Sequence, residues 1–205
     1  MCGGRGVNRL YRFRGWVLGL FAVALAIVPA NENFISVSGY FLILLGIFLH
    51  IEARRDIGDH TRGKELLAPE LVTWGIYSKI RHPLYLSNMF VGCGFALVHL
   101  GWQPLLFVFV FGFVFFIVLL AMQEDLFLKK QFGEAFLNWE ARTPAFFSRA
   151  FFSKLMENSP QYPRKTFFTA IMADRWTWGW LLFYSLALIM RGMAGPFPRV
   201  ISSYI

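Results

Sequence analysis

The chain is short of charge, and shortest of acid. Aspartate and glutamate number 12 against 20 lysines and arginines, and charged residues make up 16% of 205 positions, well under the ~25% usual in soluble domains. Hydrophobic residues reach 57% and aromatics 19%, which argues against one or two soluble domains of ordinary composition. Cysteine is nearly missing. Cys2 and Cys93 stand in no metal-ligand or redox spacing, so no disulfide framework and no metal site is implied. No apolar signal region precedes Cys2, so a lipoprotein-type signal is not expected. The first apolar run is too long for a signal h-region and has no clear small-residue cleavage site, so it reads as a retained anchor. Internal repeats and low-complexity tracts are lacking as well.

What is present is a series of apolar runs, at about 15–30, 34–51, 84–102, 104–122 and 176–193. Several approach or exceed the ~20 residues a spanning helix needs. The expected fold is an all-α integral membrane protein of about five transmembrane helices with cytoplasmic interfacial helices, a single membrane domain over 1–205. The net charge of +8 would suggest nucleic acid in a soluble protein. Here the basic residues flank apolar runs, which points to anionic lipid headgroups and not to nucleic acid.

The basic residues also orient the chain. Arg5, Arg9, Arg12 and Arg14 precede the first run. Arg54, Arg55, Arg62, Lys64, Lys79 and Arg81 lie between the second and third. Lys129, Lys130, Arg142, Arg149, Lys154, Arg164, Lys165 and Arg175 lie between the fourth and fifth. Together they are 18 of the 20, and in a five-helix arrangement they share one side. Arg191 and Arg199 remain for the other, with short turns at 31–33 and 101–103. The positive-inside rule places the N-terminus in the cytosol and the C-terminus outside; in a bacterium this is a multi-pass protein of the inner membrane. The two long cytoplasmic segments, 53–83 and 124–175, are where function or local structure is expected. Segment 124–141 carries an amphipathic stripe of Leu126, Phe127, Phe132, Phe136, Leu137 and Trp139, suited to lying along the membrane surface. Segment 155–175, apolar again at Phe167, Phe168, Ile171 and Met172, is a second candidate interfacial element.

Two constellations can carry chemistry. The first runs from Leu71, Val72 and Gly75 through Tyr77 to Arg81, His82, Pro83 and Tyr85. Pro83 fits the first turn of a helix and biases His82 to extended backbone. Arg81 and His82 are thereby placed at the positive end of the third helix, where free N–H groups can meet an anion. The alternative is interface anchoring, which Arg and Tyr perform routinely. The second is Gln123, Glu124 and Asp125 at the end of a 19-residue apolar run, followed by Phe132, Gly133, Phe136, Trp139 and Arg142. Boundary carboxylates are functional candidates. Glu124 is a candidate partner for Arg81 or for a cationic or hydroxyl-bearing ligand; the plainer reading is that both acids mark the exit into water.

The stretch LVTWGIYSKIRHPLY, followed by E-D-x-x-L-x-x-x-F-G-x-x-F-x-x-W-x-x-R-x-P, resembles the isoprenylcysteine carboxyl methyltransferase family. Its wider membrane group includes phospholipid methyltransferases and bacterial lipid A phosphate methyltransferases. The likeness covers about residues 40–147. It implies S-adenosylmethionine as methyl donor and a pocket formed by the two cytoplasmic segments. Leu71, Val72, Gly75, Tyr77, His82, Pro83, Tyr85 and Glu124 are the implied cofactor-binding residues, and Arg81, Glu124 and Arg142 the implied catalytic ones. The chain departs from the pattern at Pro69 (usually His), Asp125 (usually Glu), Phe136 and Trp139 (usually Tyr) and Ser87 (usually Gly).

Methyl transfer from a sulfonium is an in-line displacement, so alignment is the main task. An anionic acceptor needs positioning by Arg, while an amine must lose a proton. The arginines favour an anionic oxygen on an amphipathic lipid, a lipid phosphate such as that of lipid A. Alternatives are the carboxylate of a prenylated cysteine, a phospholipid amine, an NADPH-dependent sterol-type reductase and a non-enzymatic membrane protein. Elsewhere His50 and Glu52 read as a boundary salt-linked pair and His60 as a solvated loop residue. His99 reads as a packing or interface residue, the Phe-rich fourth run as lipid-facing and packing surface, and Gly92 and Gly94 as points of close helix approach.

Overall fold

A computed structural model describes residues 4–31, 36–57, 70–147 and 163–193. Over these the chain is helical: α1 (Gly4–Ile27), α2 (Val37–Ile57), α3 (Pro83–Leu100), α4 (Pro104–Phe132), α5 (Glu134–Arg142), α6 (Phe167–Ala173) and α7 (Arg175–Met193), with one 3-10 turn at Ile76–Ser78. The protein is an all-α membrane protein. Among the described residues α2, α3 and α4 are long and apolar enough to span a bilayer, and the Phe13–Ile27 part of α1 is apolar but shorter. Pro69, His60 and residues 148–162 lie outside the described residues.

Local chemistry sets the helix ends. The Ser36 hydroxyl accepts from Gly39 N–H at 2.9 Å, capping α2. Arg54 and Arg55 sit in its last turn, where the helix dipole favours cations. Pro83 and Pro104 open α3 and α4 at positions that need no N–H donor. At 29 residues, α4 is about 44 Å long against a hydrocarbon layer of about 30 Å. It therefore runs well past the apolar stretch that ends at Met122, and Gln123, Glu124 and Asp125 are carried on the projecting turns. Gly133, at φ 53°, breaks the helix. The amphipathic stretch 124–141 is thus two elements, the end of α4 and the short α5.

Helix contact is close where the side chains are smallest. α2 and α3 run antiparallel with Gly39 and Gly46 facing Gly94 and Val91. A Cβ on Gly94 would lie 2.7 Å from the Gly39 carbonyl oxygen, and one on Gly46 would lie 2.9 Å from that of Ser87. A Cβ on Gly92 would strike the Phe113 ring of α4. Phe21 of α1 meets Phe109 and Phe113 of α4 edge-on. On α4, Phe113 and Phe116 are buried while Phe107, Phe111 and Phe115 face outward, as a helix between protein and lipid requires. His99 is buried, and its Nε2 lies 2.8 Å from the Val28 carbonyl; it fastens the α1 exit to the end of α3 and packs rather than reacts.

Candidate functional site

The end of the bundle where α2 stops and α3 begins carries the polar residues. The chain approaches α3 through Leu71–Ile80, a segment with Val72, Trp74, Ile76, Tyr77 and Ile80 buried. It is held by its carbonyls. Trp139 Nε1 donates to Tyr77 O at 3.0 Å and Ser78 Oγ donates to Gly75 O at 2.7 Å. Gly75 has φ 59°, and any Cβ there would collide with the Asp56 carboxylate. Only glycine combines this backbone with such an approach. The Asp56 Oδ2 in turn accepts from Ile76 N–H at 2.7 Å.

Arg81 and His82 follow. Their backbone N–H groups are not free for an anion. They donate to Pro144 O and Ala145 O at 2.9 and 3.1 Å, which binds the start of α3 to the chain leaving α5. The Arg81 side chain reaches Glu140 Oε1 through Nη1 at 2.6 Å and Asp125 Oδ2 through Nη2 at 3.2 Å. The Phe136 ring lies 5.8 Å from its guanidinium carbon, within cation–π range. His82 Nε2 is 2.9 Å from Asp125 Oδ1, and its ring packs against Tyr85 and Phe146. Asp125 therefore bridges Arg81 and His82 across the α3–α4 hairpin. The expected pairing of Glu124 with Arg81 is not formed; Asp125 and Glu140 take that place, because Asp125 lies on the α4 face turned to α3.

Glu124, about 100° further round α4, is in a different situation. It continues the buried face of Ile117, Leu120 and Leu128 at helical spacing and is itself half-buried. Among the described residues its carboxylate has no hydrogen bond or ion pair. Among the described residues the buried Tyr77 hydroxyl, Gln123 Oε1 and Arg81 Nε also have no hydrogen-bond partner. Burial holds the Tyr77 phenol far above its ordinary pKa; the charge of Arg54 opposes this, and those of Glu124 and Asp56 add to it. The phenol thus stays protonated and lies within the field of all three charges. Buried polar atoms are rarely left unpaired, and unpaired ones clustered at one end of a bundle suit a polar ligand.

The other expected site residues divide. Leu71 and Val72 pack in the core beside Tyr77. Pro83 is buried as the first residue of α3. Arg142 is not brought in: its side chain is exposed, and its Nε donates to Asn138 O of its own helix at 3.1 Å. Of the departures, Phe136 and Trp139 are buried around Arg81 and Tyr77, and Ser87 Oγ lies 3.4 Å from His50 Nδ1.

His50 and Glu52 do not pair with each other. His50 Nε2 and Arg54 Nε both reach Asp174 Oδ2 at 2.8 Å, and Glu52 reaches Arg55 and Arg164. Burial alone would raise the Asp174 carboxyl, but the His50 hydrogen bond and the Arg54 charge hold it well below the usual carboxylate range. Sequence reasoning passed over Asp56, Glu140, Arg164 and Asp174. One trace was available: Glu52 and Asp56 lie four apart, on one face of a helix in which acids are scarce.

Helices long and apolar enough to span a bilayer, with a polar, partly unsatisfied end, define a membrane protein with a candidate site at that end. Residues 34–135 match the family model described as phospholipid methyltransferase. Through this half of its length the chain belongs to that family, part of the isoprenylcysteine carboxyl methyltransferase-like membrane group, and it is a membrane methyltransferase. No curated protein and no solved structure matches it.

Proposed function

We propose that the protein transfers a methyl group from S-adenosylmethionine to the headgroup of a membrane lipid. The observation that carries the reading is the unpartnered trio of Glu124, Tyr77 hydroxyl and Gln123 Oε1 beside the RHPLY segment. The donor fits these groups. It brings ribose hydroxyls, an ammonium, an adenine amino group and a sulfonium, which are hydrogen-bond donors or positive charge. Of these groups, the Glu124 carboxylate and the Gln123 Oε1 are oxygen acceptors, one of them an anion. Glu124 and Gln123 accept from the donor's N–H and O–H groups, and the Tyr77 hydroxyl donates or accepts beside them.

When bound, the cofactor supplies an electrophilic methyl group on a sulfonium. The remaining work falls to the chain. The Arg81–Asp125–His82 bridge and the Glu140 contact hold the α3–α4 hairpin in register, so that donor and acceptor meet in line. Phe136, Trp139 and Phe146 keep water from that junction. The acceptor enters from the lipid between helices. The basic end lies in the cytosol, with the N-terminus inside and the C-terminus outside, supported by the distribution of lysine and arginine.

For the acceptor, an amine headgroup is the better fit. The charge of Arg81 is matched by Asp125 and Glu140 and Arg142 is turned away, so neither arginine offers an anion an uncompensated positive charge. An amine must shed its proton before attack. The second reading, a lipid phosphate, is favoured by Arg81 Nε, a buried donor with no partner among the described residues. Two experiments test this. S-Adenosylhomocysteine should raise the melting temperature of the purified protein and NADPH should not; the reverse result would assign the site to a reductase. Labelled donor should then mark an aminophospholipid in mixed vesicles, in preference to a lipid phosphate monoester or a prenylcysteine carboxylate.

A further inference from the structure

The family match ends at residue 135, yet the chain beyond it returns to the same end of the bundle. Residues 164–178 lie along the α2 terminus and are fastened at three levels. Arg164 Nε meets Asp56 Oδ1 at 2.6 Å, and its Nη2 meets Glu52 Oε2 at 2.5 Å. Arg55 and Lys165 are joined twice, Lys165 N–H donating to Arg55 O at 3.1 Å and the Arg55 side-chain Nε donating to Lys165 O at 3.1 Å. Ten residues on, Asp174 takes His50 and Arg54. These partners are more than 100 residues apart in sequence.

Asp56 is the node where this strap touches the site. Its side chain is 1% exposed, so its charge requires compensation. One oxygen accepts from Ile76 N–H and the other from Arg164, and the carboxylate packs directly on Gly75. The turn Gly75–Ile76–Tyr77 thus rests on a carboxylate whose charge Arg164 compensates. Tyr77, the next residue, carries the unpartnered hydroxyl.

We propose that Arg164 is a positioning residue for methyl transfer: by clamping Asp56 it fixes the Gly75–Tyr77 turn, and with it the Tyr77 hydroxyl that the methyl donor meets. The segment beyond the family match is then part of the enzyme's donor site without touching the reacting atoms. Removing Arg164 leaves a buried, uncompensated carboxylate that draws water or another cation, and the turn moves with it. Neutralising Asp56 at the same time removes that demand, because an asparagine Oδ1 still accepts from Ile76 N–H.

The inference rests on S-adenosylmethionine being the donor, so full-length wild-type protein is titrated first with S-adenosylhomocysteine. No binding there withdraws the donor reading and this inference with it. Given wild-type binding, Arg164→Ala should weaken S-adenosylhomocysteine at least about tenfold and raise the donor KM alike, with kcat at saturating donor changed by less than about threefold. The double variant Arg164→Ala/Asp56→Asn should recover to within about threefold of wild type. A strap that serves only stability predicts a different pattern: a lower melting temperature, unchanged affinity in the folded fraction, and no rescue by Asp56→Asn. Arg164→Ala with wild-type affinity and KM overturns the proposal. If Arg164→Ala yields no folded protein, Arg164→Lys decides: it keeps the charge but not the two-nitrogen hold on Asp56 and Glu52, so binding of S-adenosylhomocysteine weakened at least about threefold in the folded protein supports the proposal, and wild-type affinity refutes it.

Discussion

Glu124 and Asp125 are neighbours on one helix and live in opposite circumstances. Asp125 has both oxygens engaged, by Arg81 and His82. Glu124 has neither engaged among the described residues, and the Tyr77 hydroxyl and Gln123 Oε1 nearby are open as well. The difference separates two kinds of work. A carboxylate bridging an arginine and a histidine on another helix holds structure together, and little of it is left over for a ligand. A half-buried carboxylate with no partner costs stability, and the proposed donor site gives it one.

The sharpest way to break the comparison is to remove each acid in turn. Asp125→Ala leaves the buried His82 Nε2 without its partner and Arg81 with Glu140 as its remaining acid. It should destabilise the fold by about 1–3 kcal/mol, read as a clear fall in melting temperature with activity lost in proportion to folded protein. Glu124→Gln should do the reverse. Turnover should fall about 100-fold, the scale of a lost charge-assisted hydrogen bond of about 1.5–3 kcal/mol, while the melting temperature holds or rises. Equal loss of stability in the two variants would erase the distinction. Tyr77→Phe should cost turnover about tenfold and leave the fold no less stable, since it deletes a buried hydroxyl with no partner; this is checked by the same pair of measurements. The smallest effect is expected at Arg142. Arg142→Ala removes an exposed group bonded to its own helix and should leave kcat within about twofold. A loss of about 100-fold there would return Arg142 to the catalytic role that its motif position suggests.

Much of the fold was legible as apolar runs, because burial in lipid demands them. Helix ends were less legible, since an apolar run ends where the lipid ends and a helix need not. The second run stops at Ile51, but α2 continues to Ile57, and this places Glu52, Arg54 and Asp56 on helical faces. The fourth stops at Met122, but α4 continues to Phe132. The site was half legible. Arg81, His82 and the acids stand out by type and position, and RHPLY names the hairpin start. Their pairing did not, because Arg81 meets Glu140 across 59 residues and Asp125 across the whole hairpin. One residue of helix rotation decides which of two adjacent acids faces α3, and no composition or spacing in 84–125 resolves that angle. Arg164 was hidden further, since its partners lie 108 and 112 residues away and its neighbourhood in the chain is simply basic.

The most direct test is calorimetric titration of S-adenosylhomocysteine into wild-type protein and Glu124→Gln. The unpartnered groups as donor site predict binding by the wild type and at least about tenfold weaker binding by the variant, at an equal or higher melting temperature. Wild-type affinity in Glu124→Gln would contradict it.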